Sequence, residues 1–360
     1  MRVAMIGLRG IPALSGGIET AVHNLAPELV KQGAELTVYA RSCYSDTRIR
    51  EFKGVKIVHL PTLNTKHTEA IVHSTLATAH AMMHPFDIVH FHAMANAPFS
   101  ILPRRCVVTL HGLDWKREKW GKAAQSYLKL CEQLLARWRH TVISVSEPIR
   151  DYFKERYGME LTYIPNGVPI GRRRRLSKLR RFGAEHDGYY LYLGRIVPEK
   201  GVHLLISAFR KTKTDRKLLI AGDASHCESY LRELQQSASD DRRIIFTGPL
   251  YDDEKDEAFS NAHLFILPST IEGMPIAALE AMSYGTSPLV SDIEENVCAT
   301  GGHGFRFSSG DEEALSSAIH DLDVKDLSED GTLCRDYVGR ERNWEHAAHE
   351  TMRVYREAMA

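Results

Sequence analysis

The chain has 360 residues, 43% of them hydrophobic and 26% charged, which is the balance of a soluble globular protein with room for two ordinary domains. Lysine plus arginine number 46, as do aspartate plus glutamate, so no global field draws in nucleic acid or membrane and an electrostatic partner must use a local patch. A first strand starting at Arg2 leaves no room for a signal peptide and no long apolar run offers a transmembrane helix. Six scattered cysteines without a C-x-x-C pair suit reduced thiols, so a cytoplasmic location is expected.

Residues 2–7 read as a short buried strand, followed by a glycine-bearing loop over 8–17. A helix from Glu19 then places Val22, Leu25, Ala26, Leu29 and Val30 at helical spacing. Pro27 lies inside it and predicts a kink or a break. Gly33 ends the helix and residues 35–40 form the next strand, the opening of a parallel α/β domain. The loop lacks G-x-G-x-x-G, and the second strand ends Tyr39-Ala40-Arg41-Ser42 without an acidic residue to hold a ribose. A nicotinamide or flavin site is therefore not expected. Gly16 and Gly17 either shape a tight turn or let the backbone approach a ligand phosphate.

Residues 87–91 form a strand ending in His90-Phe91-His92, and residues 107–110 one ending in His111-Gly112. A histidine at the carboxyl end of a parallel strand lies where open α/β sheets bind ligands. The segment from Trp115 to Trp120 leads into a helix over 123–139 that mixes leucines with basic residues. It is either a packed helix with a solvated basic face or an element that meets an acceptor or anionic headgroups through Trp115, Lys116, Arg117, Lys119 and Trp120. Residues 142–145 form a strand, and Ser146 is placed to cap the helix that starts at Pro148.

Pro165-Asn166-Gly167 is strong turn chemistry and marks a domain junction. The run Arg172 to Arg175, with Lys178, Arg180 and Arg181, is expected to be solvated and mobile. The alternative is an anionic partner, either a membrane surface or a phosphorylated acceptor. The second domain restarts with a strand over 189–193 that ends Gly194-Arg195, then Pro198-Glu199-Lys200-Gly201 and a helix. Arg195 and Lys200 flank one strand-to-helix turn, so both can reach a single anion, and no acidic neighbour is evident for them. Residues 217–222 and 243–247 are further strands.

Residues 264–292 form the most informative stretch. An apolar strand broken by Pro268 is followed by a polar loop, a buried helix near Pro275 and another strand at 289–291. Glu272 lies in the loop and Glu280 inside the helix, where an ionised carboxylate needs a partner. The plain partner is an internal cation. The backbone amides of Gly273, Met274 and Ile276 at the helix start, beside Pro275, also form an anion site flanked by two hydrogen-bond acceptors, which suits a phosphate carrying hydroxyls.

The string EGMPIAALEAM, from Glu272 to Met282, resembles the E-x7-E signature of retaining glycosyltransferases of family 4 with the GT-B fold. The loop RGIPALSGGIET, the strand end TLHG, the hinge IPNGV and the element from Gly194 to Gly201 are similar to that family in the same order. The resemblance implies two Rossmann-like parallel-sheet α/β domains facing a cleft. One is an acceptor domain, 1–167, completed by a terminal helix, 344–360, that crosses back to it. The other, 168–343, binds a nucleotide-sugar donor. It further implies that Glu280 holds the ribose and that Gly16 and Gly17 lie near the donor. Arg195, Lys200 and the amides of 273–276 would neutralise the diphosphate, and Glu272 and His111 would hold the sugar.

HGLDWKREKWG resembles bacterial members that build surface polysaccharides on lipid-linked acceptors. The expected activity is therefore metal-independent, cofactor-free transfer to a saccharide or lipid-linked acceptor, with peripheral contact to the inner face of an anionic membrane through the basic patches. The only D-x-D is Asp321-Leu322-Asp323, at the end of a late helix, so a metal site of that type is not expected. Rival readings are a nucleotide-sugar epimerase, a phosphorylase, or a binding module without turnover.

Overall fold

The computed structural model describes residues 1–14, 16–62, 69–116, 121–138, 140–224 and 227–360. The chain divides into two compact units, Met1–Gly167 with Asn343–Ala360, and Val168–Arg342.

The first unit is built on an eight-stranded sheet. Its strands are β1 (Arg2–Ile6), β2 (Glu35–Arg41), β3 (Glu51–Phe52), β4 (Val55–Leu60), β5 (Ile88–His92), β6 (Cys106–Leu110), β7 (Thr141–Ser144) and β8 (Thr162–Tyr163), in the order β3-β4-β2-β1-β5-β6-β7-β8. All neighbours are parallel except β3 against β4. Helices α1 (Gly17–Lys31), α2 (Glu69–Met82), α3 (Lys122–Trp138) and α4 (Glu147–Tyr157) connect the strands. β1 and β5 are almost wholly buried and read as unbroken apolar runs, as strands covered on both faces must.

Pro27 does not end α1, which continues to Lys31 with Val22, Ala26 and Leu29 buried. Packing of that apolar face outweighs the hydrogen bond that proline removes. Ser146 precedes α4 without capping it, and its hydroxyl is buried with no partner among the described residues. The C-terminal helix, Trp344–Met359, starts at a cap that does work: Asn343 accepts the His346 amide at 2.7 Å. It buries Trp344, Ala348, Met352 and Tyr355 in the same core as α1.

The second unit carries a six-stranded parallel sheet of β9 (Tyr189–Leu193), β10 (Lys217–Ala221), β11 (Ile244–Gly248), β12 (Leu264–Leu267), β13 (Pro288–Ser291) and β14 (Phe305–Phe307), ordered β11-β10-β9-β12-β13-β14. Around it lie α5 (Val202–Arg210), α6 (Glu228–Ser237), α7 (Asp252–Asn261), α8 (Ile276–Ser283), α9 (Glu294–Thr300), α10 (Glu312–Asp323) and α11 (Ser328–Glu341). The order reverses at β9, whose two neighbours are β10 and β12. In open α/β sheets that reversal is where the strand ends leave a crevice for a ligand.

Candidate functional site

In the second unit, β9 and β12 each end in a turn that carries chemistry. The Tyr192 hydroxyl donates to the Arg195 carbonyl at 2.7 Å and fixes the turn after β9. A short 3-10 turn, Pro198–Lys200, follows and ends at Gly201 with φ 68°. A Cβ at Gly201 would lie 2.2 Å from the Pro268 carbonyl oxygen, so only glycine lets this turn rest against the end of β12. The Thr270 amide ties the two turns again by donating to the Glu199 carbonyl at 3.0 Å.

This approach brings Lys200 onto Glu272. The Lys200 ammonium donates to Glu272 Oε1, which also accepts the Ser269 hydroxyl at 2.7 Å, and both members of the ion pair are largely buried. The sequence expectation of two cations without an acidic neighbour is therefore corrected for Lys200: its neighbour comes from a loop 72 residues further along the chain. Arg195 forms no ion pair among the described residues. Glu199, which the sequence reading passed over, is buried with Oε1 lacking a partner among the described residues. Its signal was a carboxylate standing between the two motif cations.

The amides at the start of α8 are fewer than the sequence suggests. Ile276 is corrected, since its N–H donates to the Met274 carbonyl at 2.9 Å, and Pro275 has no N–H. Among the described residues, the amides of Gly273 and of Ala277 in the first turn meet no acceptor. Glu280 has the plain partner that burial demands, Lys255 of α7, at 2.7 Å. Its Oε2 has no donor among the described residues.

In the first unit, Gly16 has φ 107°, and a Cβ there would strike Glu19 Oε2 at 2.0 Å and the Arg9 guanidinium at 2.4 Å. Glu19 is buried and accepts the Arg9 backbone amide at 2.9 Å and its Nε at 3.2 Å. Gly16 thus has a packing reason of its own, whereas nothing lies within 4 Å of where a Gly17 Cβ would be.

Alternation along the neighbouring parallel strands β5 and β6 groups His90, His92, Thr109 and His111. His92 Nδ1 is 3.1 Å from His111 Nε2, and the His90 and His92 rings stack with centroids 4.3 Å apart. Burial pushes the His90 imidazole down to about 3, with the nearby His111 adding to it, and holds His92 well below its ordinary value.

Trp115 is bound inward. Its indole N–H donates to Glu132 Oε2 at 2.5 Å, and Glu132, buried on α3, also accepts the hydroxyls of Tyr152 and Tyr157 at 2.8 and 2.6 Å. This corrects the reading of Trp115 as an interfacial anchor. Lys116 is exposed, while Arg117, Lys119 and Trp120 lie outside the described residues.

The arginine run is not the free segment expected. Arg174 pairs with Asp253 and Asp256 at 2.8 and 3.2 Å, Lys178 with Asp253 at 3.2 Å and Arg181 with Glu254 at 2.5 Å. The acidic residues of α7 thus hold part of the basic block against the unit. The D-x-D is structural: Asp323 Oδ1 accepts Tyr190, Thr214 and Arg216 at 2.5, 2.6 and 2.8 Å.

Of the residues singled out in the sequence, the second unit brings Arg195, Lys200, Glu272 and Gly273 to the ends of adjacent strands, with Glu280 on the helix that follows. Gly16, Gly17, His111, Trp115 and Lys116 belong to the first unit.

The sequence profile of Glycosyltransferase Family 4 matches residues 15–172, and that of Glycosyl transferases group 1 matches residues 178–331. The chain is 26% identical to glycogen synthase of Mycobacterium tuberculosis over 397 aligned positions, covering 99% of this chain and 94% of the relative. It is 26% identical to alpha-maltose-1-phosphate synthase of Mycolicibacterium smegmatis, with both chains covered in full. Sucrose-phosphate synthase from Thermosynechococcus elongatus has a similar structure, with a TM-score of 0.83 at 21% identity over 99% of this chain and 98% of that one. Anabaena HepE, solved with UDP-glucose, gives a TM-score of 0.80 at 19% identity over 99% and 100%.

Proposed function

The chain belongs to the GT-B glycosyltransferases of the family 4 type, and from that premise we propose that it moves a sugar from a nucleotide-diphosphate donor to a saccharide or lipid-linked saccharide, with retention at the anomeric carbon. The observation that carries this reading is the joining of the turns after β9 and β12 by Lys200 and Glu272, beside an Arg195 without an ion-pair partner among the described residues. Relatives named for glycogen and maltose-1-phosphate synthesis, and a structural neighbour solved with UDP-glucose, support a nucleotide sugar as donor.

In this reading the diphosphate meets the Arg195 fork, the Lys200 ammonium and the Gly273 amide. Lys200 keeps two further N–H donors after bonding Glu272. These groups stabilise the charge that develops on the leaving phosphate, which is where preorganised donors count most. Glu280 accepts from the ribose through its free Oε2, with Lys255 keeping the carboxylate ionised. Glu272 and His111 contact the sugar. The leaving phosphate takes the acceptor's proton, so no enzymic nucleophile and no catalytic metal are required.

We place the reaction in surface-polysaccharide synthesis at the inner face of the cell membrane, where the exposed Lys116 and the arginines of 172–181 outside the α7 pairs would meet anionic lipid. No helix among the described residues is long and apolar enough to cross a membrane.

The test is the anomeric configuration of the product, read by proton NMR from a reaction run with EDTA. An α-linked product from an α-linked donor, formed at an undiminished rate, is expected. Inversion, or loss of activity restored by a divalent cation, would refute the mechanism.

A further inference from the structure

The paired histidines of β5 and β6 carry one more assignment. His92 is 1% exposed, and its two ring nitrogens are in unequal positions. Nδ1 lies 3.1 Å from His111 Nε2, while Nε2 is buried with no partner among the described residues. His90, stacked beneath it, is satisfied at both nitrogens by the Tyr355 hydroxyl at 2.6 Å and the Thr109 hydroxyl at 2.7 Å. The His92 ring cannot turn freely to find another partner. It is clamped against His90, and its carbonyl accepts the Asn96 side-chain amide at 2.5 Å.

A neutral imidazole has one proton to place. If His92 carried it on Nε2, a buried N–H would be left without an acceptor, the rarer and costlier defect in folded proteins. Placing it on Nδ1 spends the donor in the one contact available, and only an acceptor goes unmet. Burial keeps His92 neutral, consistent with its depressed pKa.

We propose that His92 is a positioning residue that fixes the tautomer of His111: its Nδ1–H donates to His111 Nε2, so His111 carries its single proton on Nδ1. His111 then offers a ligand an N–H donor at a defined atom, suited to an acceptor oxygen of a sugar. The use of that donor rests on the reading of His111 as a sugar contact, but the tautomer itself does not.

The test uses the full chain labelled with ¹⁵N-histidine. Long-range ¹H–¹⁵N correlation distinguishes the two neutral tautomers of each ring, and the His111 signals are those lost in His111→Asn. The expected wild-type spectrum shows His111 protonated at Nδ1 with Nε2 bare. His92→Asn, whose amide can donate from nearly the same place, retains that pattern, whereas His92→Phe yields a tautomer mixture. Transfer measured as kcat/KM should fall roughly 3- to 10-fold in His92→Phe, the worth of one neutral hydrogen bond, and recover in His92→Asn. A wild-type His111 protonated at Nε2, or a His92→Phe spectrum with an unchanged His111, overturns the proposal. If the tautomer shifts as expected while kcat/KM does not move, the tautomer assignment stands and the sugar-contact reading of His111 fails.

Discussion

Lys200 donates to Glu272 across two turns that are far apart in sequence, and their side chains are only 17% and 6% exposed. A buried ion pair of this kind is expensive to break from one side, because the survivor keeps its charge without a counterion. Lys200→Met should therefore destabilise the second unit by about 3–5 kcal/mol, and Glu272→Gln by a comparable amount. The double variant should recover most of that loss without recovering transfer. Urea unfolding of the three variants measures this. Single variants as stable as wild type would show that the pair holds nothing together.

Arg195 differs from Lys200 in having no carboxylate to lean on among the described residues, and it is only partly buried. Arg195→Ala should leave stability within about 0.5 kcal/mol of wild type, as expected away from packed or paired features. Turnover should fall by roughly 10² or more, the usual cost of losing a donor aimed at developing negative charge. Steady-state kinetics beside a melting curve separates the two. Wild-type turnover would remove Arg195 from the reaction.

Glu280 offers Oε2 to a ligand while Oε1 is held by Lys255 at 2.7 Å. If that oxygen accepts from a ribose, the enzyme should prefer a ribonucleotide donor over its 2′,3′-dideoxy analogue by roughly 10- to 100-fold, the range for a hydrogen bond to a charged group. Glu280→Gln should shrink that preference with a larger effect on KM than on kcat. Competition between the two donors measures it, and an unchanged ratio in the variant would place the ribose elsewhere.

Two buried imidazoles make the first unit sensitive to acid. Burial pushes His73 down to about 4, with Arg41 nearby adding to it, and His90 down to about 3. An imidazole whose folded pKa lies below its unfolded value of 6.5 leaves the unfolded chain binding more protons between the two. Stability is therefore present above the unfolded value and is lost as pH falls below it, by about 2 kcal/mol per histidine between pH 7 and pH 5. His73→Phe keeps a ring of similar size and removes one titrating group, so its urea midpoint should fall less over that interval. A midpoint with the same pH slope as wild type would contradict this.

Much of the scaffold was legible because both sheets are built from short, doubly buried strands that read as apolar runs between glycine and proline turns. β9 was bounded correctly at both ends and β12 by its break at Pro268. The chemistry of 264–292 was legible for the same reason, since two carboxylates in an apolar unit have few explanations.

What remained hidden depends on contacts between distant residues. Nothing local announces that Lys200 ends against Glu272, that Lys255 serves Glu280, or that Glu132 gathers Trp115, Tyr152 and Tyr157 around one buried carboxylate. The basic run misled because its acidic partners lie on α7, about 80 residues away. Pro27 misled because tertiary burial of α1 outweighs a local rule.

The most direct measurement is release of nucleoside diphosphate from a panel of UDP-, GDP-, dTDP- and ADP-sugars in the presence of EDTA, with calorimetric donor binding in parallel. Wild type is compared with Glu280→Ala. The account predicts that wild type binds one donor and releases its nucleotide, and that Glu280→Ala, still folded, loses both. Release from the same donor at the wild-type rate in Glu280→Ala, or neither binding nor release of any donor by wild type, would contradict it.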